Sequence, residues 1–297
     1  MPKKYLAYTL LICTTLIWSV NFIIGKFAYL FEVPPLTLNF LRWSLVWLLL
    51  FPFTYKEIFS NIKLIKKNII YLTILAITSV SAFNSLVYLA LNYTQAIDTI
   101  LMISIIPVFV LFLSSILGVE KFNFFQLMGL IVSFIGVLII FSNADLGKIL
   151  NLNFNIGNAW MLLAVFCWAL YSSLLKKNKL PFSTLGLVEI LASIGLIFLI
   201  PQFIGEQMYG KEIKFNKAFF LILSFVTLFA SIGAYYSWNK AIELIGPNRA
   251  SIFLHLMPVF GVILAIVLLK EKFQIYHFIG AAFIVTGIYL SNRKKHD

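Results

Sequence analysis

The chain has 297 residues, 61% of them hydrophobic and 11% charged, which leaves too few polar side chains to coat a water-soluble surface. Lipid is the expected solvent. A net charge of +12 would suggest nucleic acid in a soluble protein, but here the basic residues sit in short loops and tails, where they set topology and meet lipid headgroups; no nucleic-acid partner is expected.

A spanning helix needs roughly 20 mainly apolar residues, whereas a spanning strand needs about 10 that alternate in polarity. The apolar runs here are long and do not alternate. They predict ten helices, at 5–26, 36–54, 69–91, 96–118, 124–142, 157–176, 183–203, 218–240, 248–269 and 274–291. The first run approaches full spanning length with no small-x-small cleavage site after it, so it reads as a helix and not a secretory signal. Turn chemistry fills the breaks, at Pro34-Pro35, Asn143 to Gly147, Pro181, 205–214 and Gly246-Pro247-Asn248. Cys13 and Cys167 fall inside spans as small apolar fillers and suggest no disulfide framework. The N-tail, the C-tail and the breaks after the second, fourth, sixth and eighth helices hold most of the Lys and Arg, which predicts that both termini are cytoplasmic.

Laid on itself at an offset of 151, the chain repeats: Pro107-Val108-Phe109 meets Pro258-Val259-Phe260, Glu120-Lys121-Phe122 meets Glu271-Lys272-Phe273, and Gly129 and Gly136 meet Gly280 and Gly287. At an offset of 150, Trp18 and Lys26 meet Trp168 and Lys176. Each half holds an odd number of spans, so the second half must enter the membrane from the other side. The expected fold is all-α, ten transmembrane helices as two inverted five-helix repeats, 1–147 and 148–297. Such repeats are a transporter signature, because two similar halves exchanging conformations about a central site give alternating access.

These features resemble the drug/metabolite transporter superfamily, in its ten-helix branch of paired EamA-like domains. The resemblance covers essentially the whole chain and is carried by Trp18, Asn21, Phe22 and Lys26, by Trp168, Tyr171 and Lys176, and by the stretch from Pro107 to Glu120-Lys121 with its echo from Pro258 to Glu271-Lys272. Ser19 departs from the family's usual Gly after the Trp, and Ala169 is an ordinary variant; both are small enough for close helix approach. The resemblance implies a secondary transporter of small organic solutes, often an exporter of amino acids or related metabolites, in the bacterial cytoplasmic (inner) membrane, with a central cavity between the halves.

Polar side chains in a membrane interior are costly, so their clustering on one helix face is informative. Ser81, Asn84, Ser85 and Tyr88 share one face of the third helix, Thr14, Trp18 and Asn21 one face of the first, and Ser231, Tyr235 and Trp238 one face of the eighth. The repeat register superposes Asn84 on Tyr235 and Tyr88 on Asn239, so the polar faces coincide about the pseudo-twofold axis. Alternatively these faces only bond neighbouring helices, at about 0.6 kcal/mol per contact. Pro107 and Pro258 lie inside spans, where each removes a backbone donor and frees a carbonyl, which makes them candidate hinges. Three residues before them sit Ser104 and His255, which join Trp168 and Tyr171 as candidate substrate contacts. For His255 a neutral imidazole satisfied by a neighbouring hydroxyl is an equal alternative to a substrate or proton role.

Arg42 and Glu189 are the charged residues deepest in the apolar runs and are candidates for coupling or gating. Counting about 1.5 Å per residue in a core of about 30 Å, they differ in depth by about 12 Å, so direct pairing is not expected. Snorkelling is the alternative for both, as it is for Lys26 and Lys176 at span ends. The aromatic residues would suit an amphiphilic or zwitterionic solute and could hold an amine by cation–π contact. Gly129, Ser133, Gly136, Gly280 and Gly287 read as close-packing faces.

The partners expected are a small-molecule substrate and membrane lipids, with proton coupling, uniport and exchange all compatible and the protein a monomer or homodimer. No cofactor or metal is called for. An enzyme acting on lipid or a lipid-linked sugar is disfavoured by the lack of H-E-x-x-H, of an Asp-rich metal motif and of a Ser/His/Asp set at one interface. A channel needs no inverted repeat with kinked central helices, and a primary pump lacks G-x-x-x-x-G-K-[ST].

Overall fold

The computed structural model describes residues 3–93, 96–142, 147, 155–177, 180–209, 215–269 and 274–293. Every long element in them is helical. The spans are α1 (Lys3–Leu30), α2 (Pro35–Ser60), α3 (Ile69–Tyr93), α4 (Ala96–Ile103 then Ile106–Ile116), α5 (Phe124–Ser142), α6 (Ile156–Leu174), α7 (Thr184–Met208), α8 (Lys217–Ile245), α9 and α10 (Ile275–Ser291). The ninth is built in three pieces, Pro247–Ser251, a 3-10 turn at Ile252–His255 and Leu256–Leu269. Nine of the ten are long and apolar enough to cross a membrane, and α10 is an apolar helix of 17 residues, at the short end of what spans. Large apolar side chains cover the outside, Phe53, Ile70, Phe112, Val267 and Phe278 among them, as lipid contact requires. Between α2 and α3 the basic break forms a short helix, Ile62–Lys67.

The repeat seen in the sequence is a pseudo-twofold in space. In each half the first helix packs on the third and fourth of the other: α1 on α8 and α9, α6 on α3 and α4. The second helices pair, α2 with α7, and so do the fifth, α5 with α10. Residues that pair with their own repeat mates mark the axis. Asn84 bonds Tyr235 and the Ser104 carbonyl bonds His255, both across 151 residues.

The pair α2 and α7 is tied at both ends by the same device. Glu206, near the end of α7, accepts from the backbone N–H groups of Thr37 (2.6 Å) and Leu36 (3.3 Å) at the start of α2. Reciprocally, Glu57 near the end of α2 accepts from the Ser183 N–H and hydroxyl at the start of α7, the latter at 2.6 Å. Each carboxylate meets donors that a helix start leaves orphaned, together with the positive end of its dipole.

The seam between α5 and α10 depends on glycine. A Cβ on Gly136 would lie 2.5 Å from the Gly280 carbonyl oxygen, and one on Gly287 would lie 2.5 Å from that of Gly129. The two backbones therefore touch, as the small residues in both repeats predicted.

Two local irregularities recur in both halves. The helix is interrupted in α4 at Ser104–Ile105 and in α9 at Ile252–His255, just ahead of Pro107 and Pro258. Around the first break the N–H groups of Ser104, Ile105 and Val108 reach back only three residues, a tightened turn that tolerates the missing proline donor. The second irregularity was not legible in the sequence: α3 and α8 each contain a π-helical stretch, Ile77–Ser81 and Val226–Gly233, at matching repeat positions. A π turn leaves carbonyls open to other helices, and such turns occur at functional sites.

Candidate functional site

The π turns supply the floor of a polar network at the centre of the bundle. Ser79 offers its carbonyl to Asn84 Nδ2 (2.8 Å) and to the Tyr235 hydroxyl (2.7 Å), and Val226 offers its own to the Ser231 hydroxyl (2.8 Å). Asn84 Nδ2 also donates to the Tyr235 oxygen at 2.9 Å. Into this frame α2 brings Arg42. Its Nε donates to Ser231 Oγ, and its Nη1 to Asn84 Oδ1 (2.9 Å) and the Tyr88 oxygen (3.0 Å). The guanidinium is thus held by α3 and α8, one helix from each repeat. At 1% exposure it does not snorkel, and taking a charge to that depth costs about 2.5–3.5 kcal/mol on insertion scales.

A narrow cavity opens beside this network. Its lining mirrors itself about the axis. Trp18 stands opposite Trp168 at 5.1 Å between ring centroids, edge to face, and Asn84 stands opposite Tyr235. Ile103 and Leu254, and Ile106 and Met257, are further lining residues paired at an offset of 151. Asn21, Phe22, Phe83, Val87, Tyr88 and Arg42 complete the wall. Edge-to-face and tilted aromatic packing continues behind it through Trp43, Tyr171 and Trp238.

Of the candidate substrate contacts, Trp18, Asn21, Asn84, Tyr88, Trp168 and Tyr235 line this cavity. Arg42, set apart in the sequence as a gating residue, lines it with them. The rest lie behind the wall. Trp238 donates to Ser172 Oγ (3.2 Å) and Tyr171 to Asn239 Oδ1 (2.7 Å). Ser85 bonds Asn39 and Gln202, joining α2, α3 and α7. Ser104 turns its hydroxyl to the Ile100 carbonyl, and its own carbonyl is 2.9 Å from His255 Nε2 while Ser133 Oγ is 2.6 Å from Nδ1. Both imidazole nitrogens are thereby engaged where α4, α5 and α9 meet. Among the described residues no ion pair joins Arg42 and Glu189. Glu189 is fully buried and neither carboxylate oxygen has a partner. Aligned on Pro34-Pro181 and Thr37-Thr184, Arg42 and Glu189 occupy equivalent positions of the two repeats, a basic residue in one and an acidic residue in the other.

On one face of the bundle Glu120 accepts from Lys176 Nζ (2.8 Å) and from the Asn248 N–H (3.3 Å), linking the ends of α4 and α6 to the start of α9. The second copy of that motif, residues 271–273, lies outside the described residues. Apolar liners such as Ile103, Ile106, Leu254 and Met257 were missed in the sequence because nothing distinguishes them from lipid-facing residues except their repeat pairing.

Ten apolar helices in two inverted halves, with a polar, aromatic-walled cavity on their shared axis, define an integral multi-pass membrane transporter. The EamA-like transporter family matches twice, at residues 5–142 and 155–293, and the chain belongs to that family. It is 30% identical over 98% of both chains to an uncharacterized transporter of Archaeoglobus fulgidus, and 26% identical over 99% of this chain and 89% of the other to the uncharacterized transporter YetK of Bacillus subtilis. A solved crystal structure shares the fold, with a TM-score of 0.71 at 15% identity over 98% of this chain and 96% of that one.

Proposed function

We propose that this transporter is a secondary carrier of small organic metabolites, of amino-acid-like or amine character, working by alternating access between repeats 1–147 and 148–297. The cavity on the pseudo-twofold axis carries the reading. A site whose walls come in repeat-related pairs is equally placed for access from either side, so rocking one half against the other exposes it alternately. Breaks at Pro107 and Pro258 give α4 and α9 a point to bend, and the link from Glu120 to Lys176 and Asn248 would hold one face together. Positive residues on the N-tail side favour both termini in the cytoplasm of a bacterial inner membrane. Export is the preferred direction on family grounds.

Glu189 is the residue proposed to couple transport to protons, because a buried carboxylate without partners is stable only when neutral or newly paired. Counterflow in proteoliposomes tests the transport reading. Vesicles preloaded with a mixture of amino acids and amines should accumulate the labelled member of the carried class, and Trp168→Ala should abolish accumulation. Failure of every class to exchange, with folded protein in the vesicles, would sink the reading.

A further inference from the structure

We infer that the carried solute bears a carboxylate, bound end-on to the free edge of the Arg42 guanidinium. The inference rests on the central cavity being the transport site, as proposed above. Arg42 is the one formally charged residue of the cavity wall, and its partners, Ser231, Asn84 and Tyr88, are all neutral. They occupy Nε and Nη1. Among the described residues Nη2 has no partner and no carboxylate lies within ion-pair distance of the guanidinium. A buried positive charge held by neutral groups keeps its full field in a medium of low dielectric, so it attracts an anion and repels a lone ammonium. Nη2 keeps its hydrogens for an acceptor, and a carboxylate oxygen makes a charge-assisted bond there.

A second donor is left open by a break in the symmetry. Trp18 Nε1 donates to the Ala230 carbonyl at 3.2 Å. The repeat mate of that carbonyl belongs to Ser79 and is already taken by Asn84 and Tyr235. Trp168, the repeat mate of Trp18, consequently has its buried Nε1 without an acceptor. A buried donor without a partner is costly, and a carboxylate offers acceptors only. The cavity wall thus holds one positive charge and, on Trp168, a buried donor without a partner, between aromatic side chains. The buried Asn21 oxygen, also without a partner, is an acceptor for the ammonium of a zwitterion. The site therefore takes a monocarboxylate or an amino acid with an apolar body and rejects simple amines, which narrows the class proposed above.

The test uses the full chain in detergent and matched sets of carboxylate, amide and amine on methyl, isobutyl and benzyl skeletons, with alanine, leucine and phenylalanine. Binding is read by thermal shift and by competition against the tightest labelled member. Carboxylates and amino acids should bind, and amines and amides should not. Arg42→Gln should weaken carboxylate binding about 30-fold or more, the range seen when one partner of a buried charge pair is removed. Because that variant could misfold, Asn84→Asp is the second: it keeps the guanidinium and an acceptor for Nη1 but supplies a resident carboxylate, and should weaken binding similarly. Amines binding as well as carboxylates, carboxylate binding that survives both substitutions, or no carboxylate binding on any skeleton would each overturn the assignment. Counterflow of the same compounds separates this from the wider reading. Amine exchange abolished by Trp168→Ala would keep the cavity as the transport site and discard the carboxylate, whereas exchange indifferent to Trp168 and Arg42 would discard the site.

Discussion

Replacing Gly136 with alanine puts a methyl carbon 2.5 Å from the Gly280 carbonyl oxygen and 2.9 Å from Ile284 Cγ1. That is about 0.9 Å short of ordinary van der Waals contact at the carbonyl, and the obstacle is backbone, which cannot rotate away. Helix α10 must therefore move off α5, and the nearby Gly129–Gly287 contact loosens with it. Overpacking of this kind costs typically 1–3 kcal/mol. At about 2 kcal/mol the apparent Tm of the detergent-solubilised protein should fall by several degrees, at about 2–4 °C per kcal/mol for large domains. Gly280→Ala acts on the same gap, since its own Cβ would meet Ile140 Cγ1 at 2.5 Å and the Gly136 oxygen at 2.8 Å. Once either substitution has separated the helices the second costs less, so the double variant should lose less than the sum of the singles. Unchanged melting in both single variants, or full additivity in the double, would refute the direct backbone contact.

Three further outcomes concern the carboxylates Glu120, Glu206 and Glu189. Glu120→Gln removes the charge facing Lys176 and the α9 start; with both side chains partly exposed the link is worth about 1 kcal/mol, so hydrogen exchange over 247–251 should rise several-fold, and no rise would mean the link does not hold that face shut. Glu206→Gln should cost about 1 kcal/mol through the lost charge at the α2 start and lower the Tm while leaving substrate KM alone; an altered KM with an unchanged Tm would contradict the structural role. Glu189→Gln should abolish accumulation driven by a pH gradient while sparing counterflow, and equal loss of both would remove Glu189 from coupling.

Part of the cavity lining was legible one residue at a time. Asn84, Tyr88 and Tyr235 were found because polar side chains at helical spacing are rare in apolar runs, and the repeat register brought them to one axis. His255 and Ser104 show where that reasoning stops. Their matched repeat positions suggested substrate contact, but α4, α5 and α9 meet there, and Ser104 and Ser133 engage the two imidazole nitrogens away from the cavity wall. Arg42 shows the converse. Its depth along α2 suggested gating or snorkelling, yet its direction around the helix brings it to Ser231, Asn84 and Tyr88, all distant in sequence. The π turns left no trace, because the widening of a turn depends on packing against neighbouring helices more than on local residue preference.

What the sequence determined by itself is whatever hydropathy and register along one dimension can encode: a lipid solvent, ten spans, two halves of opposite orientation, glycine seams and the positions where helices break. Long apolar runs have no other stable state in a bilayer, since every backbone group must be bonded within its own segment. Only the tertiary structure decided which polar faces meet a cavity and which meet a neighbouring helix, that Arg42 stands among neutral partners, and that Ser79 is occupied while Trp168 is left open. Those outcomes turn on rotation and crossing of helices far apart in the chain, as the bond from Thr14 to Ala234 across 220 residues illustrates, and short-range pattern carries no information about them.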